Sequence, residues 1–267
     1  MHYLFSHLDE VKTAIIEKPV SLLLDYDGTL TPIRKTPAAA IIHPKVRSVL
    51  KAISKNKNIK VAIISGRSLR DIKKIVGIKK INYFGNHGFE FEDASSKRIT
   101  FVPLYYKKII AEIKSILKNK ISSIKGALLE DKGFTLSLHY RLVKAGDILK
   151  VKDILFKLYK EKNFNKNIRI NHGKKVFEIK PRFAWNKGKA VSYLLSKLKD
   201  RRRFLPIYIG DDTTDEDAFR ALKSNGITVC VGKNKKSNAR YCLNNTGEVL
   251  QFLKIILDVK RIIKCPI

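Results

Sequence analysis

Cysteine, methionine and tryptophan are scarce in this chain, at three, one and one among 267 residues. Cys230, Cys242 and Cys265 show no C-x-x-C spacing, and an odd number of thiols closes no disulfide framework. Reduced thiols and a cytoplasmic setting are expected, with no catalytic cysteine. Long apolar runs are missing too. Nothing approaches the roughly 20 residues needed to cross a bilayer, and the opening Met1–Glu10 lacks a basic leader followed by an apolar core. No membrane partner is expected. Acidic residues are the minority, 24 against 55 Lys and Arg, for a formal net charge of +31. Such an excess raises the question of nucleic acid. The basic residues are spread from end to end, however, and the clusters Arg201-Arg202-Arg203 and Lys233-Asn234-Lys235-Lys236 lack interleaved aromatics. They read as a solvated surface that attracts anions, which favours a phosphorylated small molecule and no nucleic-acid partner.

What is present is a globular composition, 44% hydrophobic and 30% charged. Apolar residues recur at helical spacing in Val46, Val49, Leu50, Ile53; in Ala190, Val191, Leu194, Leu195, Leu198; and in Val249, Phe252, Leu253, Ile256, Leu257. Between such helices lie short β-rich runs: Val20–Leu24, Lys60–Ile64, Asn82–Phe84, Pro206–Ile209 and Ile227–Val231. This alternation predicts an α/β fold with a doubly wound, Rossmann-like parallel sheet. The middle of the chain departs from it. A helix over 105–119 precedes two strands around Asp131-Lys132-Gly133, and a second helix over 147–162 precedes two strands around His172-Gly173. That αββαββ order predicts a small α+β unit with one antiparallel sheet, inserted as a lid between two halves of the larger domain. Pro103 and Pro181, which favour extended backbone before them, mark the crossings. The expected division is a core over 1–103, a cap over 104–180 and a second core segment over 181–267.

Two apolar strands end in carboxylates. Val20–Leu24 runs into Asp25-Tyr26-Asp27-Gly28-Thr29, and Pro206–Ile209 runs into Gly210-Asp211-Asp212-Thr213-Thr214-Asp215. Ligands of open parallel sheets bind at the carboxyl ends of the strands, so these acids can converge on one cation, and Mg2+ suits an all-oxygen set. Asp25 and Asp27, two apart in extended backbone, can face one reacting group. One carboxylate can then attack phosphorus while the other serves the leaving oxygen with a proton. Ser68 and Asp71 fit a capping box, which leaves Ser65 for a phosphate oxygen. Arg67 stands beside it as a contact to substrate or cap. Lys187 at a helix start opposes the helix dipole, a misfit that favours a functional role. Thr213 and Thr214 read as N-caps of the following helix. No histidine pair has zinc-ligand spacing.

Asp25-Tyr26-Asp27-Gly28-Thr29, Ser65-Gly66-Arg67, Lys187-Gly188-Lys189 and Gly210-Asp211-Asp212 occur in the order that characterises the haloacid dehalogenase superfamily, which the chain resembles. Within it the chain resembles trehalose-6-phosphate phosphatases through Asp25–Ile33, Gly85-Asn86-His87-Gly88, Glu178-Ile179-Lys180-Pro181 and Gly210–Glu216. The resemblance implies Asp25 as nucleophile, Asp27 as general acid/base and Lys187 against nucleophile and phosphate. It places Mg2+ on the Asp25 carboxylate, the Asp27 carbonyl and Asp211, with Asp212 and Asp215 as supporting or additional metal anchors. Ser65, Gly66, Arg67 and His87 would line the phosphate, while Glu130, Lys132, Arg141, Glu178 and Lys180 of the inserted unit would contact the sugar. The implied reaction is Mg2+-dependent hydrolysis of trehalose 6-phosphate through an aspartyl-phosphate, by a monomer supplied by a separate synthase. Sucrose phosphate, mannosyl-3-phosphoglycerate or glucosylglycerol phosphate would need only a different lid. A nucleic-acid-binding protein on an inactive phosphatase scaffold is the more distant alternative.

Overall fold

The computed structural model describes residues 1–161, 164–173, 175–198, 200, 203–232 and 236–262; the basic clusters at 201–202 and 233–235 and Cys265 lie outside the described residues. In chain order the elements are β1 (His2–Tyr3), α1 (Leu8–Glu17), β2 (Val20–Leu24), α2 (Pro44–Ser54), β3 (Ile59–Ile64), α3 (Leu69–Val76), β4 (Asn82–Gly85), β5 (Glu90–Glu92) and β6 (Arg98–Thr100). There follow α4 (Tyr105–Ile121), β7 (Leu128–Asp131), β8 (Leu136–His139), α5 (Ile148–Lys160), α6 (Phe164–Asn167), β9 (Ile168–Gly173) and β10 (Val176–Pro181). The chain closes with α7 (Lys187–Ser196), β11 (Leu205–Gly210), α8 (Glu216–Leu222), β12 (Ile227–Val231), β13 (Tyr241–Leu243) and α9 (Thr246–Ile262).

Two compact units result, one of Met1–Ile99 with Trp185–Ile267 and one of Thr100–Ala184. The divisions fall a few residues outside Pro103 and Pro181, so each proline sits within the smaller unit rather than at its border. The larger unit is built on a sheet of order β1-β13-β12-β11-β2-β3-β4-β5-β6, parallel from β1 through β4, with β5 antiparallel to β4. All five residues of β2 are buried. A continuous apolar run of this kind belongs to a parallel strand covered on both faces, which is why Val20–Leu24 shows no alternation. Around it pack Leu50 and Ile53 of α2, Ile72 and Val76 of α3, and Phe252, Leu253 and Ile256 of α9. The strands and helices Val20–Leu24, α2, β3, β4, α7, β11, β12 and α9 lie where hydrophobic periodicity puts them. Helix α1, the short strand β1 and the edge strands β5, β6 and β13 carry too weak a pattern to be read from sequence.

The smaller unit is the expected αββαββ arrangement with the extra turn α6. Its four-stranded antiparallel sheet has the order β7-β8-β10-β9, so the two hairpins join through β8 and β10. One sheet face presents Leu136, Leu138, Phe177 and Ile179 to Ile110, Ile113 and Leu117 of α4 and to Val151, Leu155 and Leu158 of α5. With a period of two, the intervening residues occupy the opposite face. These include Glu130, Ser137, Glu178 and Lys180.

Candidate active site

The carboxyl ends of β11, β2 and β3, three neighbours at the centre of the large sheet, carry the site. Leu24 pairs with Ile209 and with Ile63, and the Asp25 N–H donates to the Ile209 carbonyl at 2.9 Å. Asp25 and Asp211 therefore follow adjacent strands in register. The carboxylates of Asp25, Asp211 and Asp215 each bring one oxygen within 4.8 Å of the others. After Asp27 the chain turns sharply, with the Tyr26 carbonyl accepting from Thr29, Leu30 and Thr31 and the Gly28 N–H donating to Thr31. Gly28 has φ +91°, and a Cβ there would lie 2.1 Å from an Asp211 carboxylate oxygen. Only glycine leaves that carboxylate its place.

Lys187 enters from the first turn of α7, whose N-cap is Asn186, accepting from the Lys189 N–H at 2.9 Å. Its Nζ donates to Asp25 Oδ1 at 2.8 Å and to Asp215 Oδ1 at 2.7 Å. Asp215, fully buried, also accepts from the Tyr208 hydroxyl at 2.7 Å and from the backbone N–H groups of Asp211 and Asp212. Both of its oxygens are thus engaged by protein donors, and its work is to hold Lys187 and the Asp211 loop. Asp212 accepts from the Thr213 N–H and forms a capping box with Asp215. The cap of this turn is therefore Asp212, not Thr213 or Thr214, because a carboxylate one residue earlier already reaches the exposed N–H groups.

Burial pushes the Asp25 carboxyl well above the usual carboxylate range; Lys187 opposes the shift, while Asp215 and Asp211 add to it. Burial would lower Lys187, but Asp215 and Asp25 outweigh it and hold the ammonium well above the ordinary lysine value. Among the described residues Lys187 is the ammonium that contacts Asp25 and Asp215, so this group of three carboxylates and one ammonium is net negative. The group consists of hard oxygen donors with a surplus of negative charge, which fits a divalent cation, and such a cation would keep Asp25 ionised.

Ser65 is buried at the end of β3, and its Oγ accepts from the Arg67 N–H at 3.2 Å. The loop of Asn86 and His87 is tied to this segment: Asn86 N–H donates to the Arg67 carbonyl, and His87 N–H to the Ser65 carbonyl. A Cβ at Gly66 would lie 2.5 Å from the His87 ring, so Gly66 lets that ring lie against the loop. Trp185 Nε1–H closes the far side on the Gly88 carbonyl at 2.8 Å. The Arg67 side chain, 5% exposed, lies against Asp27, Asp71 and the Pro37 carbonyl. Ser68 does cap α3 through the Asp71 N–H, but the Asp71 carboxylate goes to Arg67 rather than back to Ser68, giving half of a capping box.

In the smaller unit, Glu130 and Glu178 both pair with Ser137 in register and so stand on one sheet face. His139 Nε2 is 2.8 Å from Glu130, Lys132 Nζ 3.8 Å from Glu130, and Lys180 Nζ 2.5 Å from Glu178. Arg169, opposite Lys180, adds a further cation. Arg141 stands in the turn after β8. Sequence reasoning misses Tyr208 and gives Asp71 only a capping part. The available signal for Tyr208 is a hydroxyl inside the otherwise aliphatic Leu205–Ile209.

Strand ends bearing Asp25-x-Asp27 and Asp211, a serine at the next strand end and a buried lysine from a helix start define the class as a phosphatase-type haloacid dehalogenase. Its fold is shared with a haloacid dehalogenase-like hydrolase from Bacteroides thetaiotaomicron, at TM-score 0.63 and 17% identity over 90% of this chain and 100% of that one. The sequence model of the trehalose-phosphatase family matches residues 23–246, and the chain belongs to that family. It is 35% identical to trehalose-phosphate phosphatase B of Arabidopsis thaliana over 95% of this chain and 70% of that protein. The C-terminal domain of the trehalose-6-phosphate phosphatase of C. albicans superposes at TM-score 0.79 with 26% identity, over 94% of this chain and 96% of that one.

Proposed function

We infer that this protein is an enzyme that hydrolyses trehalose 6-phosphate to trehalose and inorganic phosphate. Family membership supports the reaction, and the buried Asp25–Lys187–Asp215 cluster, with Asp211 beside it, is the observation that carries it. Asp25 is the nucleophile. Its carboxylate oxygen bonds to phosphorus as the phosphorus–sugar oxygen bond breaks, and Asp27 supplies the proton that makes the departing oxygen a hydroxyl. Water then attacks phosphorus of phospho-Asp25, giving its proton to Asp27 and releasing phosphate with the Asp25 carboxylate restored. Lys187 holds Asp25 in place and neutralises charge at the phosphoryl oxygens, and Ser65 offers a hydroxyl to one of them. Mg2+ is the cation we assign to the Asp25 and Asp211 carboxylates and the Asp27 carbonyl. When bound it lets an anionic carboxylate approach an anionic phosphate. Asp212 and Asp215 support this set through backbone and lysine contacts rather than as ligands.

The charged sheet face of the smaller unit, with Glu130, Lys132, Glu178 and Lys180, suits the hydroxyls of a disaccharide. A cytoplasmic monomer fed by a separate synthase completes the reading. Phosphate release from a panel of trehalose, sucrose, mannosylglycerate and glucosylglycerol phosphates, with and without Mg2+, tests it. Trehalose 6-phosphate should lead in kcat/KM by at least about tenfold, with turnover abolished by EDTA and restored by Mg2+. A different leading ester would overturn the substrate, and undiminished turnover in EDTA would overturn the metal.

A further inference from the structure

We propose that Arg67 is a positioning residue for the proton-transfer group Asp27 and not a ligand of the substrate phosphate. The inference rests on the reading of Asp27 as general acid. Arg67 Nε donates to Asp27 Oδ2 at 2.7 Å and its terminal nitrogen to Oδ1 at 2.8 Å, a two-pronged contact that fixes the plane of the carboxylate. The guanidinium is itself held: it donates to Asp71 Oδ2 at 2.9 Å and to the Pro37 carbonyl at 2.8 Å, and its carbon lies 5.1 Å from the centre of the Tyr26 ring. These contacts claim both edges and one face of the group. The Arg67 side chain is 5% exposed whereas that of Asp27 is 41% exposed, so the carboxylate, not the guanidinium, meets a ligand. A phosphate ligand would have to displace Asp27 or Asp71 from a buried arginine, leaving that carboxylate unpaired. Arg67 thus governs where Asp27 stands when the leaving oxygen takes its proton.

The chemistry supplies a test. A sugar alkoxide leaves poorly without a proton, whereas 4-nitrophenolate leaves readily without one, and kcat/KM reports only the steps through formation of phospho-Asp25. Wild type, Asp27→Asn, Arg67→Ala, Arg67→Lys and Asp71→Asn are assayed with trehalose 6-phosphate and 4-nitrophenyl phosphate, alongside the inhibition constant of inorganic phosphate. For Arg67→Ala the loss in kcat/KM on the sugar ester should exceed that on the aryl ester by about 10- to 100-fold, with phosphate inhibition shifted less than about threefold. Arg67→Lys should recover part of this ratio. Asp71→Asn, which keeps Arg67 and the α3 cap, should move the ratio the same way by a few-fold and covers the case in which Arg67→Ala does not fold. Equal losses on both esters, or phosphate inhibition weakened in step with kcat/KM, would overturn the proposal. Asp27→Asn separates the two readings. If it shows the selective loss and neither the Arg67 nor the Asp71 variants do, the positioning role alone falls; if it shows none, the general-acid reading falls and takes this inference with it.

Discussion

Asp25 and Lys187 illustrate how residue chemistry is set by burial. An ammonium held between two buried carboxylates is a structural pair whatever its chemistry, since removing either partner strands a buried charge. Asp25→Asn keeps the shape and the lysine but removes the nucleophile, so kcat should fall by about 10⁴-fold or more while the circular-dichroism spectrum is retained; near-native turnover would refute the assignment. Gly28→Ala tests the turn rather than the chemistry. The methyl group would meet the Asp211 carboxylate in a backbone conformation that alanine resists, so stability should drop by about 1–3 kcal/mol and metal affinity should weaken with it, as titration calorimetry would show. At this scale much was legible. An aspartate at the end of an apolar strand is visible in any sequence. That Arg67 faces Asp27 is not, because the two are 40 residues apart and an arginine looks the same whether it binds a ligand or a neighbour.

Elements set which of these residues share a surface. The period of two in β7, β8 and β10 puts Glu130, Ser137 and Glu178 together and sends Leu129, Leu138 and Phe177 to the helices; the alternation is visible in the sequence of β8, Leu136-Ser137-Leu138-His139, but not in that of β7, Leu128-Leu129-Glu130-Asp131, whose face only the pairing with β8 decides. Lys132 follows β7 and leans on Glu130. Lys132→Ala should therefore lower kcat/KM for the sugar phosphate by about 10-fold, mostly through KM, and lower that of a small aryl phosphate far less; equal losses would remove it from sugar recognition. Strand β4 offers a second test. The Tyr83 hydroxyl donates to the Ile78 carbonyl at 2.7 Å, and burial pushes its pKa from the ordinary 10 up to about 12. The folded protein thus favours the neutral phenol. Its contribution to stability is complete below pH 10 and is lost as pH rises from 10 toward 12. Thermal melts should show Tyr83→Phe less stable at neutral pH by about 1 kcal/mol yet with a shallower decline across that window. Parallel declines would exclude the phenol as the titrating group.

Across the whole molecule the net charge of +31 creates a field that draws in a phosphate dianion. Raising salt from about 20 to about 200 mM should reduce kcat/KM for the sugar phosphate about 3- to 10-fold with kcat nearly constant; a flat response would reduce the excess lysine to solubility alone. Among the described residues no helix is long and apolar enough to cross a membrane, in keeping with the composition. From its own order of residues the chain dictated the α/β alternation, the inserted αββαββ unit and the acidic strand ends, because each is a local pattern of period, turn and charge. Tertiary structure alone decided that β11 and β2, separated by most of the chain, lie side by side in register, so that Asp25, Asp211, Asp215 and Lys187 meet. Strand order depends on how helices cover both faces of a sheet, a property of the packed whole that no stretch of sequence carries by itself.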